Sequence, residues 1–526
     1  RIEATAGALP LLAGGPSDAP ARHQTLRAAI AWSYDLLTPQ EQTLLRRLSV
    51  FAGGFGLSAA EAVGGDGIEG EGGAVVEALE GLVTKSLLRR DEREGAPRQG
   101  APAGTGWLPP GWSAPAEDPP APRFQMLETV REFAALRLEE SGEADAVRER
   151  HTACFAPLAA RTQTYDARWL NDVEREHDNL RAAMRWCLAR GGPSFARQGL
   201  RFGAALAHFW VFRGHLSQGQ KELAWALSRP APADPGRAYH WARATLLTKA
   251  GHLARRRGDF PTARRLYEAG LALRRETGQL AMLPFSLRSL GGLALDQGDF
   301  PTARACHGEA LALRREAGCP NLCETLLDVG RLAQEDGDGD GARRLLQEGL
   351  DLARANALPH AIATGHDELG RLAWLVGDQR WARTHHEAAL AVARELGDKG
   401  QTAAALDHLG RVALSLEDGP TAARRHGAAL TLAWEFGDQL RVASCLEGLA
   451  GVAAAQGQGR RAARLLGAAA ARRDALGAPL PPSRRPWHLR HLERARASLS
   501  DEDFGGAWRA GQAMPLERVV AFALAI

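Results

Sequence analysis

Arg331, Arg371 and Arg411 stand 40 residues apart, each directly after a glycine, and are the candidate ligand contacts of this chain. A guanidinium offers a planar fork of donors that suits carboxylates and phosphates, so three at a constant interval could form a ladder for an acidic ligand. The competing reading is local. Asp367 and Asp407 each precede an arginine by four residues, a helical spacing that stabilises by ~0.2–0.5 kcal/mol per pair. Local pairing is the preferred reading, and the two can coexist.

Other chemistry-bearing residues fall short of a site. Asp336-Gly337-Asp338-Gly339-Asp340-Gly341 copies the first half of an EF-hand loop, but its twelfth position is Gln347, which lacks the bidentate carboxylate. Cys306-His307 with Cys319 and Cys323 lacks the tightly spaced ligand pairs of a structural zinc site. His385-His386-Glu387 has no partner histidine at metalloprotease spacing, and there is no Gly-x-Ser-x-Gly elbow. A P-loop needs Gly-Lys followed by Ser or Thr, and no Gly-Lys dipeptide occurs. Catalytic, cofactor and metal residues are therefore assigned to none, and the chain is read as no enzyme.

The elements that position the arginines are repeats. Gly251, Gly291, Gly330, Gly370, Gly410 and Ala450 recur at intervals of 39 or 40. Each is followed twelve residues on by alanine, and seven further by Gly270, Ala310, Gly349, Ala389, Ala429 or Ala469. Small residues at such offsets let two helices cross closely. Gly258-Asp259, Gly298-Asp299 and Gly377-Asp378 supply the turn between the helices, and Pro261, Pro301 and Pro420 suit the start of the second. The offsets resemble the tetratricopeptide repeat, with a unit about six residues longer than its ~34. The expected fold is all-α dominated: a solenoid of TPR-like hairpins of period about 40, preceded by a small winged-helix domain with a two-stranded wing. Such a stack leaves a concave face, lined by the first helices, to bind a partner.

Composition narrows the function classes. The 526 residues exceed one ordinary core. A net charge of +3 from 65 basic and 62 acidic residues gives no global drive toward nucleic acid or anionic membrane. Six scattered cysteines do not resemble a secreted disulfide scaffold, and no apolar run is long enough to span a bilayer. A cytoplasmic location is expected. The chain opens Arg1-Ile2-Glu3 without methionine or a signal pattern, so a natural polypeptide starting further upstream is expected.

Ahead of the repeats, residues 1–24 read as a linker. One helix starts near Thr25, a second at Thr38-Pro39 with threonine as cap, and a third spans Val75 to Lys85. Ser86-Leu87-Leu88 and Arg123 to Leu127 read as two paired strands. The Pro- and Gly-rich stretch 91–122, with Trp107 and Trp112, reads as a disordered wing insert. Residues 22–90 carry seven basic and eight acidic side chains, with Glu77 and Glu80 on the would-be recognition helix, which argues against phosphate neutralisation and DNA binding.

The runs R-H-Q-T-L-R-A-A-I-A-W-S-Y-D-L-L (22–37), L-L-R-R-L-S-V-F-A-G-G-F (44–55), L-V-T-K-S-L-L (82–88) and R-F-Q-M-L-E-T-V-R-E-F-A (123–134) are similar to the winged-helix segment of bacterial STAND-type signalling ATPases. These are large regulators related to LuxR-type and antibiotic-regulatory activators. E-H-D-N-L-R-A-A-M-R-W (176–186) resembles the helix leading into their repeats, and A-W-R-A-G-Q-A-M-P-L-E-R (507–518) the end of their sensor region. The departures are the 91–122 insert and the lack of a nucleotide-binding domain, which in the family precedes the winged helix. ATP or ADP is expected only there.

The resulting partition is a winged helix at 25–140, a helical connector at 141–192, the repeat solenoid at 193–475 and a C-terminal helical cap at 476–526. The expected role is a sensor arm holding a protein partner or small inducer and relaying occupancy through the winged helix to an upstream NTPase switch. The alternatives are DNA binding by the winged helix, and ATPase activity in a longer parent only.

Overall fold

A computed structural model of the chain describes residues 26–68, 73–91, 122–161, 167–319 and 321–525. The expected linker, the wing insert and its two tryptophans lie outside the described residues. The chain divides into two compact units, residues 1–161 with 171–202, and residues 162–170 with 203–526.

In the first unit, α1 (Leu26–Asp35) leads to α2 (Pro39–Leu48). Thr38 and Glu41 close a reciprocal capping box at the start of α2. Glu41 also takes the ammonium of Lys85, tying α2 to the end of α4 (Ala74–Thr84). The two-stranded ribbon anticipated from sequence is a three-stranded antiparallel sheet, because Phe55–Gly56 (β1) joins β2 (Leu88–Asp91) and β3 (Arg123–Met126) in the order β1-β3-β2. A two-residue strand has no readable alternation. A short helix, α3 (Leu57–Gly64), was also missed. The strand expected at Ser86 starts at Leu88, since Ser86 turns the chain at φ +61°.

Helices α5 (Glu128–Glu140), α6 (Ala144–Ala160), α7 (Ala167–Arg175) and α8 (His177–Arg190) follow. Asn179 of α8 reaches the loop after α2: its amide donates to the Gly54 carbonyl at 3.0 Å and its oxygen accepts from the Ala52 N–H at 3.1 Å.

The second unit is helical throughout. After α9 (Pro193–Arg213), which the two units share, comes α10 (Leu216–Leu227). Trp210 fills the space left by Gly219 of α10. Six helical hairpins then follow: α11/α12 (Arg237–Arg256, Phe260–Glu276), α13/α14 (Leu283–Asp296, Phe300–Glu316), α15/α16 (Leu322–Glu335, Gly339–Ala355), α17/α18 (Pro359–Leu375, Gln379–Leu396), α19/α20 (Lys399–Ser415, Gly419–Phe436) and α21/α22 (Gln439–Ala455, Gly459–Leu476). In the first five, an aspartate caps the second helix, as Asp259 does by accepting from the Thr262 N–H and Asp338 from the Gly341 N–H. The acidic run at 336–340 is thus an interhelical turn, with Asp336 paired to Arg304.

The small residues act in two ways. A Cβ on Gly291, Gly330, Gly370 or Gly410 would meet His307, Leu346, His386 or His426 at 2.7–2.8 Å, and one on Gly251 would overlap the Tyr267 ring. Each cassette glycine therefore seats the side chain sixteen residues on, from the second helix of its own hairpin. The backbones themselves come close at the later small residue: a Cβ on Gly349 would lie 3.0 Å from the Cys323 carbonyl. Ala450 is fully buried.

Helices α23 (Arg485–Arg496), α24 (Asp501–Gln512) and α25 (Leu516–Leu524) cover the last hairpins. Gly467 and Gly511 let α22 and α24 touch backbone to backbone, and Val519, Val520 and Ala523 join the core of the fifth and sixth hairpins.

Candidate ligand-binding face

The three arginines all lie on first helices of hairpins and are all engaged. Arg331 is 31% exposed and pairs with Asp296 of the preceding hairpin at 3.4 Å and Glu368 of the next at 3.9 Å. Arg371, 11% exposed, pairs with Glu335 at 3.3 Å and Glu368 at 3.0 Å, and donates to Gln334 Oε1 at 3.0 Å. Arg411 is buried, bonded to Asp407 at 2.7 Å and to Ser444 Oγ at 2.5 Å. Its guanidinium lies 5.7 Å from the Trp487 ring centre.

Only one of the two anticipated local pairs forms. Asp407 does bind Arg411, whereas Asp367 turns from Arg371 to His386 and His408. Arg371 instead uses the acid three residues back and one from the previous hairpin.

Acids at the same level of neighbouring first helices went unrecognised in the sequence, and they turn isolated arginines into a network. Arg255 bonds Asp296 at 2.7 Å, and Arg288 bonds Asp328 at 2.6 Å and also Glu324. Burial alone would raise the Asp296 carboxyl, but Arg255 and Arg331 outweigh it and hold it below the usual carboxylate range. Glu368 goes the other way, because its desolvation exceeds the help of Arg371 and Arg331. Lys249, earlier on the same row, sits 3.1 Å from His208 Nε2 and is pushed down to about 7 by burial. Members of the row from Lys249 to Arg371 are mostly half-buried, so this inner face is polar and still meets solvent.

The rest of the face is covered by the chain itself. After α22, residues 476–491 run past the first helices in hairpin order. Leu476 packs at Gly258 and Pro479 at Gly298, and Ala478 is buried in the core of the first two hairpins. Ser483 then bonds Glu335 through its N–H at 3.2 Å and its hydroxyl at 2.9 Å. Trp487 is buried with Trp374, Val412 and Val452, and His491 lies against Gly451. Arg484 and Arg473 both bind the buried Glu447. The concave face read from the sequence as open thus carries an internal strap along one edge. Nothing periodic announces it, because Ala478 to Arg484 is a proline-rich connection, with one 3-10 turn at Pro482–Arg484, and Glu335 and Glu447, the acids it binds, are distant in sequence.

The tetratricopeptide repeat model matches residues 241–316 and 285–355. The chain carries tetratricopeptide repeats. It is 38% identical over 219 residues to a Mycobacterium tuberculosis (strain H37Rv) protein provisionally named an HTH-type transcriptional regulator, covering 41% of this chain and 21% of that one. A second M. tuberculosis protein, described as uncharacterized, is 36% identical over 141 residues, 27% of this chain and 30% of its own length. The chain therefore spans about a fifth of the regulator it matches. Among solved structures, a Rap protein complexed with Competence and Sporulation Factor aligns over 71% of this chain and 96% of its own, at 13% identity and TM-score 0.41. A STAND protein with a tetratricopeptide repeat sensor from Pyrococcus horikoshii aligns over 92% and 68%, at 15% identity and TM-score 0.39. No helix among the described residues is long and apolar enough to cross a membrane.

Proposed function

We propose that this chain is the sensor arm of a signal-transducing transcriptional regulator, holding an acidic peptide, protein segment or small inducer on the inner face of its repeats. The observation that carries this reading is the half-buried ion network on consecutive first helices, in which Arg331 joins acids of two neighbouring hairpins. A ligand carboxylate or phosphate taking Arg331 would release Asp296 and Glu368 and so change how three hairpins are held together. Binding would then be felt along the array. The similarity to a named transcriptional regulator supports placing such an arm in gene control.

We read the first unit, in which helices α1 to α4 accompany the three-stranded sheet β1-β3-β2, as a winged helix and as a lever that transmits the state of the arm to a nucleotide switch elsewhere in a longer parent. Cytoplasmic location, and ATP or ADP bound only at that switch, belong to the same reading. Glu77 and Glu80 are exposed on α4, the helix that would enter a DNA groove, so phosphate repulsion works against direct DNA contact by this unit.

The test is thermal stabilisation of the purified chain by fractionated acidic metabolites and peptides. A hit should stabilise the wild type, and R331Q should weaken its binding at least tenfold while helical content is unchanged. A hit bound equally well by R331Q and R371Q would sink the inner-face assignment.

A further inference from the structure

We propose that Asp367, His386 and His408 form a binding site for one divalent ion of the zinc class, bracing the fourth hairpin against the fifth. Asp367 lies on α17, His386 on α18 and His408 on α19. Nδ1 of His386 lies 2.9 Å from Asp367 Oδ1, and Nδ1 of His408 lies 2.8 Å from the same oxygen. One ligand atom from each residue falls within 4.8 Å of the other two. Ligands about 2.1 Å from a zinc ion stand about 3 Å apart when they subtend a right angle. The two distances to Asp367 already suit ligands of one ion, and the two imidazoles, within 4.8 Å of each other, have to draw together to share it. Two imidazoles and a carboxylate are a donor set that zinc accepts, with its remaining position left to water or to another carboxylate.

The repeat itself supplies the control comparison. One hairpin later the corresponding residues are Asp407, His426 and Gly448. Asp407 and His426 keep the 2.9 Å contact, so the aspartate–histidine pair belongs to hairpin packing. What differs is how the carboxylate is neutralised. Asp407 has Arg411 at 2.7 Å and Arg441 at 3.3 Å, with Ser444 at 2.6 Å. At the matching places around Asp367 stand Arg371, which is turned to Glu335 and Glu368, then Gln401, which is turned to His360 and Thr364, and Ala404.

Among the described residues, no arginine or lysine stands within ion-pair distance of Asp367, and an additional imidazole stands where the next hairpin has glycine. Asp367 is half-buried, and among those residues its carboxylate is met only by the imidazoles of His386 and His408, so a cation shared by the three would supply the positive charge that Arg411 and Arg441 supply to Asp407. Asp367 is 19% and His408 10% exposed, which leaves an entry path, while His386 is buried and fixed by its seat against Gly370.

The experiment uses the whole chain, stripped with chelator and desalted, and titrated with zinc and with cobalt(II) as separate probes. One equivalent of zinc should be retained. D367N and H408G should each lower affinity at least a hundredfold with helical content unchanged, and H366A, outside the three residues, should leave it within threefold. Cobalt should give weak ligand-field bands without thiolate charge-transfer absorption, separating this site from the cysteines. Absence of zinc binding by the wild type, retention by H408G, equal loss in H366A, or a thiolate band would each overturn the proposal and leave the cluster as a hydrogen-bonded network only.

Discussion

Asp407 is fully buried and touches Arg411, Arg441, His426 and Ser444 at once. Burial would raise its pKa, yet Arg411 and the His426 bond hold it well below the ordinary value of 3.8. A depressed carboxyl contributes stability that is complete above the unfolded pKa and lost as pH falls through the folded one. D407N should therefore lose about 3–5 kcal/mol at neutral pH, the usual cost of stranding buried cations. It should also show a flatter decline than wild type below a pH of about 4, read from urea unfolding across that range. Parallel acid limbs would mean that Asp407 is not the group being protonated. A second residue-scale test concerns the cassette glycine. Gly330→Ala should cost about 1–3 kcal/mol by overpacking against Leu346. Leu346→Ala in the same chain should relieve that clash, so that the double variant loses less than the two single losses combined. Strict additivity would remove Leu346 as the reason for the glycine.

At the scale of elements, the period, the hairpins and their turns were legible because each rests on local chemistry: a small residue, an alanine, a Gly-Asp turn. The arginine row was legible as a row but not as a network. Its acids Asp296 and Glu335 share one offset, five residues after their cassette glycines, and Glu368 another, two before its own, so acid and arginine sit apart in each hairpin and meet only once the helices stack. Strand β1 and helix α3 were too short to show a period. The strap was hidden for a related reason, since its contacts with Glu335, Trp374 and Glu447 join residues distant in sequence. Trp487 is its main anchor, with a ring centre 6.1 Å from that of Trp374. Trp487→Ala should cost about 3–5 kcal/mol if the strap unfolds only with the array. If it is a separate cooperative unit, hydrogen exchange should rise within 476–491 and at the ends of the facing helices while second-helix cores stay protected. Exchange measured by peptide mass separates the two, and uniform protection everywhere would show that Trp487 anchors nothing.

At the scale of the second unit, the two ends of the array meet. Arg256 of the first hairpin pairs with Asp438 at the start of the sixth at 3.5 Å. A Cβ on Gly214 would lie 2.9 Å from the Phe436 ring, and one on Gly258 would run into Leu476. Contacts this far apart in sequence close the array on itself, which an open stack with nearest-neighbour contacts does not do. For the sensor role proposed above, closure makes opening the natural conformational change, because the inner ion network cannot rearrange freely while the ends are joined. Phe436→Ala with Leu476→Ala removes apolar packing at both closing contacts, leaving the cassette glycines and turn caps untouched. If those contacts hold the array shut, small-angle scattering should show a larger radius of gyration at unchanged helical content, and exchange should rise along 476–491. An unchanged radius beside a lowered melting temperature would mean instead that stacking of the hairpins dictates the closed form. The proposed sensing would then have to work through side chains of the inner face alone.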